Sequence, residues 1–119
     1  MAAEEIDKDI TRSFPHHPYF QSSSGLTKLR NVLLAYSWHN ESVGYCQSMN
    51  IITALFLLYM GEVEAFYLLS CICENLMPNY YTRGMLGPMV DVHLFSDLIS
   101  IVLPDVARHF KKLAVPVPA

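Results

Sequence analysis

Apolar residues recur along this chain at intervals of three and four, not two, which is the pattern of helices and not of strands. A short first helix is expected over Glu4 to Thr11, its acidic start suited to the positive end of the helix dipole. It must end before Pro15-His16-His17-Pro18, because prolines forbid continuation. Ser22-Ser23-Ser24-Gly25 reads as a loop that also caps the next helix. From there Leu26, Leu29, Leu33 and Tyr36 fall on one stripe, widened by Val32 and Leu34, while Lys28, Arg30 and Asn31 take other faces. That spacing predicts an amphipathic helix of about four turns, stopping near Trp38-His39-Asn40.

Gly44 is expected to open a third helix running to about Met60. After Asn50 it is apolar nearly all round, so it is expected to be the central and most buried element. Gly61 ends it. A fourth helix spans Glu62 to Leu76, with a stripe of Ala65, Leu68, Leu69, Ile72 and Leu76, and Pro78 stops it. The following link carries Tyr80, Tyr81 and Arg83, residue types found both at interfaces and packed on helices. A fifth helix from about Pro88 to Leu103 is expected to bury Met89, Val92, Phe95, Leu98, Ile99 and Val102. Pro104 breaks it, Asp105 to Lys112 form a last short helix, and Ala114 to Ala119 form a loose Pro-containing tail. The fold class is all-α, five to six helices with short links. The helical domain is assigned to residues 1–110 and the tail to 111–119.

Composition narrows the function. The 119 residues fit at most one domain, and 52% hydrophobic against 16% charged excludes a disordered chain. A net charge of −3 gives no basic field for nucleic acid. Cys46, Cys71 and Cys73 are odd in number and lack zinc-pair spacing, so they read as reduced, mostly buried thiols and not as a disulfide or metal framework. The first residues, Met1 to Asp9, are acidic and lack an apolar core, so no signal peptide is expected there. The longest apolar run, Ile51 to Met60, is about half the length of a membrane span and reads as a core helix.

Two short motifs carry the candidate chemistry. In Ile6-x-x-Asp9-x-x-Arg12, the three-residue spacing puts carboxylate and guanidinium near one face, where Asp9 can orient Arg12. The plain alternative is a surface ion pair. In Tyr45-Cys46-Gln47-Ser48-Met49-Asn50, Gln47 falls in the first turn of the third helix, and Asn50 one turn later can pin a neighbouring loop. An arginine and a glutamine are what hydrolysis of GTP needs around the γ-phosphate: one neutralises the transferring phosphoryl group, the other orients the water. The chain has no phosphate-binding loop, so the nucleotide would be held by a partner. His16, His17, His39, His93 and His109 form no nucleophile–base pair.

Together the two motifs resemble the TBC domain, a helical family that activates GTP hydrolysis by Rab GTPases. The resemblance runs from about Ile6 to Phe110 and includes Pro15, Leu29-Arg30, Leu33, Tyr36, Gly44-Tyr45-Cys46-Gln47 and Met49-Asn50. It implies that Arg12 is an arginine finger and Gln47 a glutamine finger, both supplied in trans, with Asp9, Tyr45 and Asn50 supporting. It implies no cofactor of the chain's own, since GTP and Mg²⁺ belong to the GTP-bound Rab partner. Ser48 stands where the family most often has glycine, and Ser13 where it often has threonine.

The family's domain usually runs further, so the chain is expected to be its N-terminal half. Some of Ile51, Ile52, Leu55, Phe56 and Leu58 are then expected to be exposed, and the isolated chain to be marginally stable. Three functions compete on this reading: a Rab GTPase activator, a binding module without catalysis, and a non-functional shortened form. The expected location is the cytoplasm, with endomembranes reached only through a lipid-anchored partner.

Overall fold

The computed structural model describes residues 2–82 and 84–116. All regular structure among them is helical: α1 (Ala2–Ile10), α2 (Pro18–Gln21), α3 (Ser23–His39), α4 (Met49–Leu57), α5 (Glu62–Cys71), α6 (Leu86–Val102) and α7 (Pro104–Lys112). The chain divides into two compact units, Met1–Arg83 and Gly84–Ala119.

In the first unit α3 is the hub, packing against α1, α2, α4 and α5. Its start lies inside the serine run, because Ser22 accepts the Gly25 N–H on its Oγ at 3.1 Å and serves as N-cap. Gly25 is needed there, since a Cβ would overlap the carbonyl of Tyr19 in α2. Leu29, Val32, Leu33 and Tyr36 of α3 meet Ile6 and Ile10 of α1, Phe20 of α2, Met49, Ala54 and Leu57 of α4, and Ala65 and Leu69 of α5 in one core. The end of α5 runs into a π-helical turn, Ile72–Leu76, that stops before Pro78. Its Glu74 accepts hydrogen bonds from Tyr36 Oη at 3.4 Å and Asn40 Nδ2 at 3.1 Å, tying the C-terminal end of α3 to α5. On the opposite side Arg30 of α3 makes a forked pair with Asp7 of α1, at 2.6 and 3.2 Å.

Three expectations are corrected. The third predicted helix starts at Met49, not Gly44. Gly44 (φ 66°) and Ser48 (φ 81°) both take left-handed backbone, which an α-helix cannot contain, so residues 44–48 form an irregular loop. Nor is α4 the central element, although five of its nine residues are buried, the largest share of any helix among the described residues. It presents Met49, Asn50, Thr53, Ala54 and Leu57 inward and leaves Ile51 and Leu55 exposed, while Ile52, Phe56 and Leu58 are half-buried. The central place belongs to α3, which packs against α1, α2, α4 and α5.

The second unit holds the third correction. None of the residues of α6 is buried: Met89, Val92, Phe95, Leu98 and Val102 are exposed, and Ile99 is half-buried. Leu103 ends α6, Pro104 opens α7, and the two helices meet at 114°. A pair of helices has too few layers to enclose an apolar stripe. Among the described residues no single helix is long and apolar enough to cross a membrane. In the link, Tyr81 is buried in the core of the first unit and Tyr80 packs against it, which settles the packed reading for those two; Arg83 lies outside the described residues. Of the predicted tail, residues 117–119 also lie outside them.

Candidate functional site

The two motifs meet where the C-terminal end of α1 faces the loop before α4. Ile6 and Ile10 anchor α1 in the core, which fixes Asp9 beside them with its side chain only 9% exposed. The helix stops one residue on. Arg12 and Ser13 follow in a turn, their amides donating to the Asp9 and Ile10 carbonyls at 3.2 Å each. Phe14 then adopts left-handed backbone at φ 48° and stacks on Phe20.

Asp9 is the centre of the site. Its Oδ1 accepts from Arg12 Nη2 at 2.6 Å, and its Oδ2 accepts from the Tyr45 hydroxyl at 2.7 Å. The carboxylate is therefore gripped on both oxygens, with the arginine on one and the second motif on the other. Arg12 itself is 58% exposed, so its stem and fork reach outward from a buried anchor. The Tyr45 hydroxyl is pushed strongly up from its ordinary pKa, first by burial and then by its hydrogen bond to the Asp9 carboxylate. It stays a neutral donor throughout the physiological range.

The loop of the second motif is shaped by two buried residues. Met49 Sδ accepts the Cys46 N–H at 3.1 Å, and Asn50 Oδ1 accepts the Ser48 N–H at 3.1 Å. Gln47 lies between those two amides, exposed and with no hydrogen-bond partner among the described residues. It sits two residues before α4, not in its first turn as the sequence suggested. Asn50 is 3% exposed, and its Nδ2 donates to the Asp9 carbonyl at 3.3 Å and to Ser13 Oγ at 2.7 Å.

Arg12, Gln47, Ser48, Asn50 and Ile51 line one cleft of about 230 Å³. The structure thus brings together all five residues singled out from the sequence: Asp9, Arg12, Tyr45, Gln47 and Asn50. It adds Ser13, buried and hydrogen-bonded to the Asp9 carbonyl at 2.8 Å, and Ile51, an apolar wall of the cleft. The sequence marked Ser13 only as standing where the family often has threonine, and Ile51 only as one of several apolar residues expected to be exposed; neither carried a signal for the cleft. A second, apolar groove of about 300 Å³ lies between α3 and α5 and shares none of these residues. No group of three or more metal-ligating side chains occurs among the described residues.

The profile of the Rab-GTPase-TBC domain matches residues 1–118. The chain belongs to the Rab-GTPase-TBC domain family. Among its relatives, the Emericella nidulans protein named "Putative GTPase-activating protein AN11010" is 46% identical over 112 residues, 94% of this chain and 10% of that protein. Two proteins named TBC1 domain family member 2B are similar: that of Xenopus tropicalis is 44% identical and that of Mus musculus 43%, each over 96% of this chain and 12% of its own length. The TBC chain spans about a tenth of the length of these curated relatives.

Proposed function

We propose that this TBC chain stimulates GTP hydrolysis by a Rab-family GTPase, with Arg12 and Gln47 entering the partner's nucleotide site together. The observation that supports this reading is the shared cleft: a guanidinium fixed by a buried carboxylate and an unengaged glutamine amide open onto the same 230 Å³ space. GTP and Mg²⁺ are held by the partner in its GTP-bound state. Arg12 places positive charge on the equatorial oxygens of the transferring phosphoryl group, whose loose transition state needs electrostatic support more than covalent chemistry. Gln47 donates to and accepts from the attacking water, setting it in line. The water's proton leaves with the phosphate product, so no base on this chain is required. The lipid anchor of the partner brings the pair to an endomembrane.

An arginine supplied in trans is worth about 10³–10⁵ in rate. The test is single-turnover hydrolysis by GTP-loaded Rab proteins with the chain, with Arg12→Lys and with Gln47→Ala. Lysine keeps a positive charge opposite buried Asp9 but loses the planar fork. Acceleration by the unaltered chain that falls at least tenfold in each variant, with binding retained, is the expected result. Binding without acceleration would assign the chain to the non-catalytic class instead.

A further inference from the structure

We infer that Asn50, acting with Ser13, is a positioning residue that holds the arginine-bearing turn and the glutamine-bearing loop at a fixed separation; this rests on the reading that Arg12 and Gln47 act together. The Asn50 amide spends both of its donors on one motif and its acceptor on the other. Nδ2 donates to the Asp9 carbonyl and to Ser13 Oγ, which bracket Arg12 in the chain. Oδ1 accepts from the Ser48 N–H, the residue after Gln47. Ser13 closes the circuit, since its hydroxyl donates to the same Asp9 carbonyl that Asn50 reaches. Asn50 and Ser13 are 3% and 1% exposed, so water does not compete for these bonds.

The clasp also explains why two unfavourable backbones persist. Phe14, two residues after Arg12, and Ser48, one after Gln47, both lie in the left-handed region without being glycine. Such residues persist where surrounding contacts over-determine them. Here one amide grips residues beside both. The three natural replacements closest in size or polarity each lose part of the clasp. Aspartate has the acceptor but no donors and would set a carboxylate against the Asp9 carbonyl. Serine is too short to span, and leucine fills the space without a bond.

The test uses Asn50→Ser, Asn50→Asp and Ser13→Ala, each made in the unaltered chain and in the Arg12→Lys/Gln47→Ala background. With the unaltered fingers, each Asn50 variant is expected to lose on the order of 10² in single-turnover kcat, because small misplacements of catalytic groups cost that much. KM for the GTP-loaded Rab is expected to change little. In the fingerless background the same substitution is expected to cost almost nothing, whereas a merely structural role would cost the same factor in both. Equal losses in both backgrounds, or a loss that tracks the folded fraction, would overturn the inference. Amide hydrogen exchange on the chain alone decides the clasp without reference to activity. The Ser48 amide is expected to lose protection in Asn50→Ser while the α3 core amides keep theirs. Unchanged protection at Ser48 would overturn the clasp, while an unaltered chain that fails to accelerate hydrolysis at all would overturn the proposed function and not the clasp.

Discussion

Tyr45→Phe removes one oxygen and, by the geometry of the site, half of the grip on Asp9. The Tyr45 hydroxyl donates to Oδ2 at 2.7 Å, and Arg12 holds Oδ1 at 2.6 Å. Phenylalanine keeps the ring and its packing, so the perturbation is confined to that bond. A hydrogen bond to a charged group contributes about 1.5–3 kcal/mol, and the carboxylate left behind is only 9% exposed, which places the expected loss of stability near the middle of that range, at about 2 kcal/mol. That is a large share of a net stability of about 5–15 kcal/mol. The functional loss has a ceiling. A carboxylate held by one oxygen swings about it and takes the arginine along, but Arg12 is not removed, so the fall in activation must stay below the about 10³–10⁵ that an arginine finger contributes.

Denaturant unfolding measures the first quantity and single-turnover hydrolysis the second. A third readout comes from pH. The Tyr45 pKa is raised above its unfolded value of 10.0. The stability linked to it is complete below pH 10.0 and is lost as pH rises beyond, because the unfolded tyrosine ionises first. The phenylalanine variant, lacking that group, is expected to show a shallower alkaline decline. Unchanged denaturation midpoints together with unchanged activation would refute the idea that Tyr45 holds the arginine through Asp9.

Other outcomes follow from single residues. Ser48→Gly is expected to stabilise the chain by about 0.5–1 kcal/mol in denaturant unfolding, since a left-handed backbone at φ 81° costs a non-glycine residue about 1–2 kcal/mol and glycine returns part of that in unfolded-state entropy. Thr53→Val is expected to raise stability by about 1 kcal/mol, because the Thr53 hydroxyl is wholly buried without a hydrogen-bond partner and valine has the same shape; an unchanged or lower midpoint would show that the hydroxyl is satisfied after all. Burial pushes the Cys73 thiol from 9.0 up to about 11, so thermal stability should begin to fall as pH rises past 9.0 and continue to about 11, and Cys73→Ala should remove that first part of the decline.

The helices were legible because their apolar spacing is local information. The stripe of Leu29, Leu33 and Tyr36 names the inward face of α3 without reference to anything distant. What covers a stripe is not local, and so α6, with the same kind of pattern, was expected to bury Met89 and Phe95 where the structure leaves them exposed. The same limit governs the site. Spacing alone placed Asp9 beside Arg12, but nothing in the sequence brings the Tyr45 hydroxyl across 36 positions to the other oxygen of Asp9.

The misplaced start of α4 is the instructive error, because the site depends on it. Gly44 resembles a helix opener, and a helix from Gly44 would hold Gln47 on a regular face. It would also commit the Ser48 N–H to the Gly44 carbonyl, leaving Asn50 Oδ1 without its partner. The observed loop does the reverse. Left-handed turns at Gly44 and Ser48 break the helix, Asn50 takes up the released amide, and Gln47 is left without an intrahelical role, exposed at the rim of the cleft that Arg12 enters from the other side. The break in regular structure therefore delivers the glutamine, and Asn50, in the first turn of the helix that follows the break, is the residue that ties it to the arginine turn.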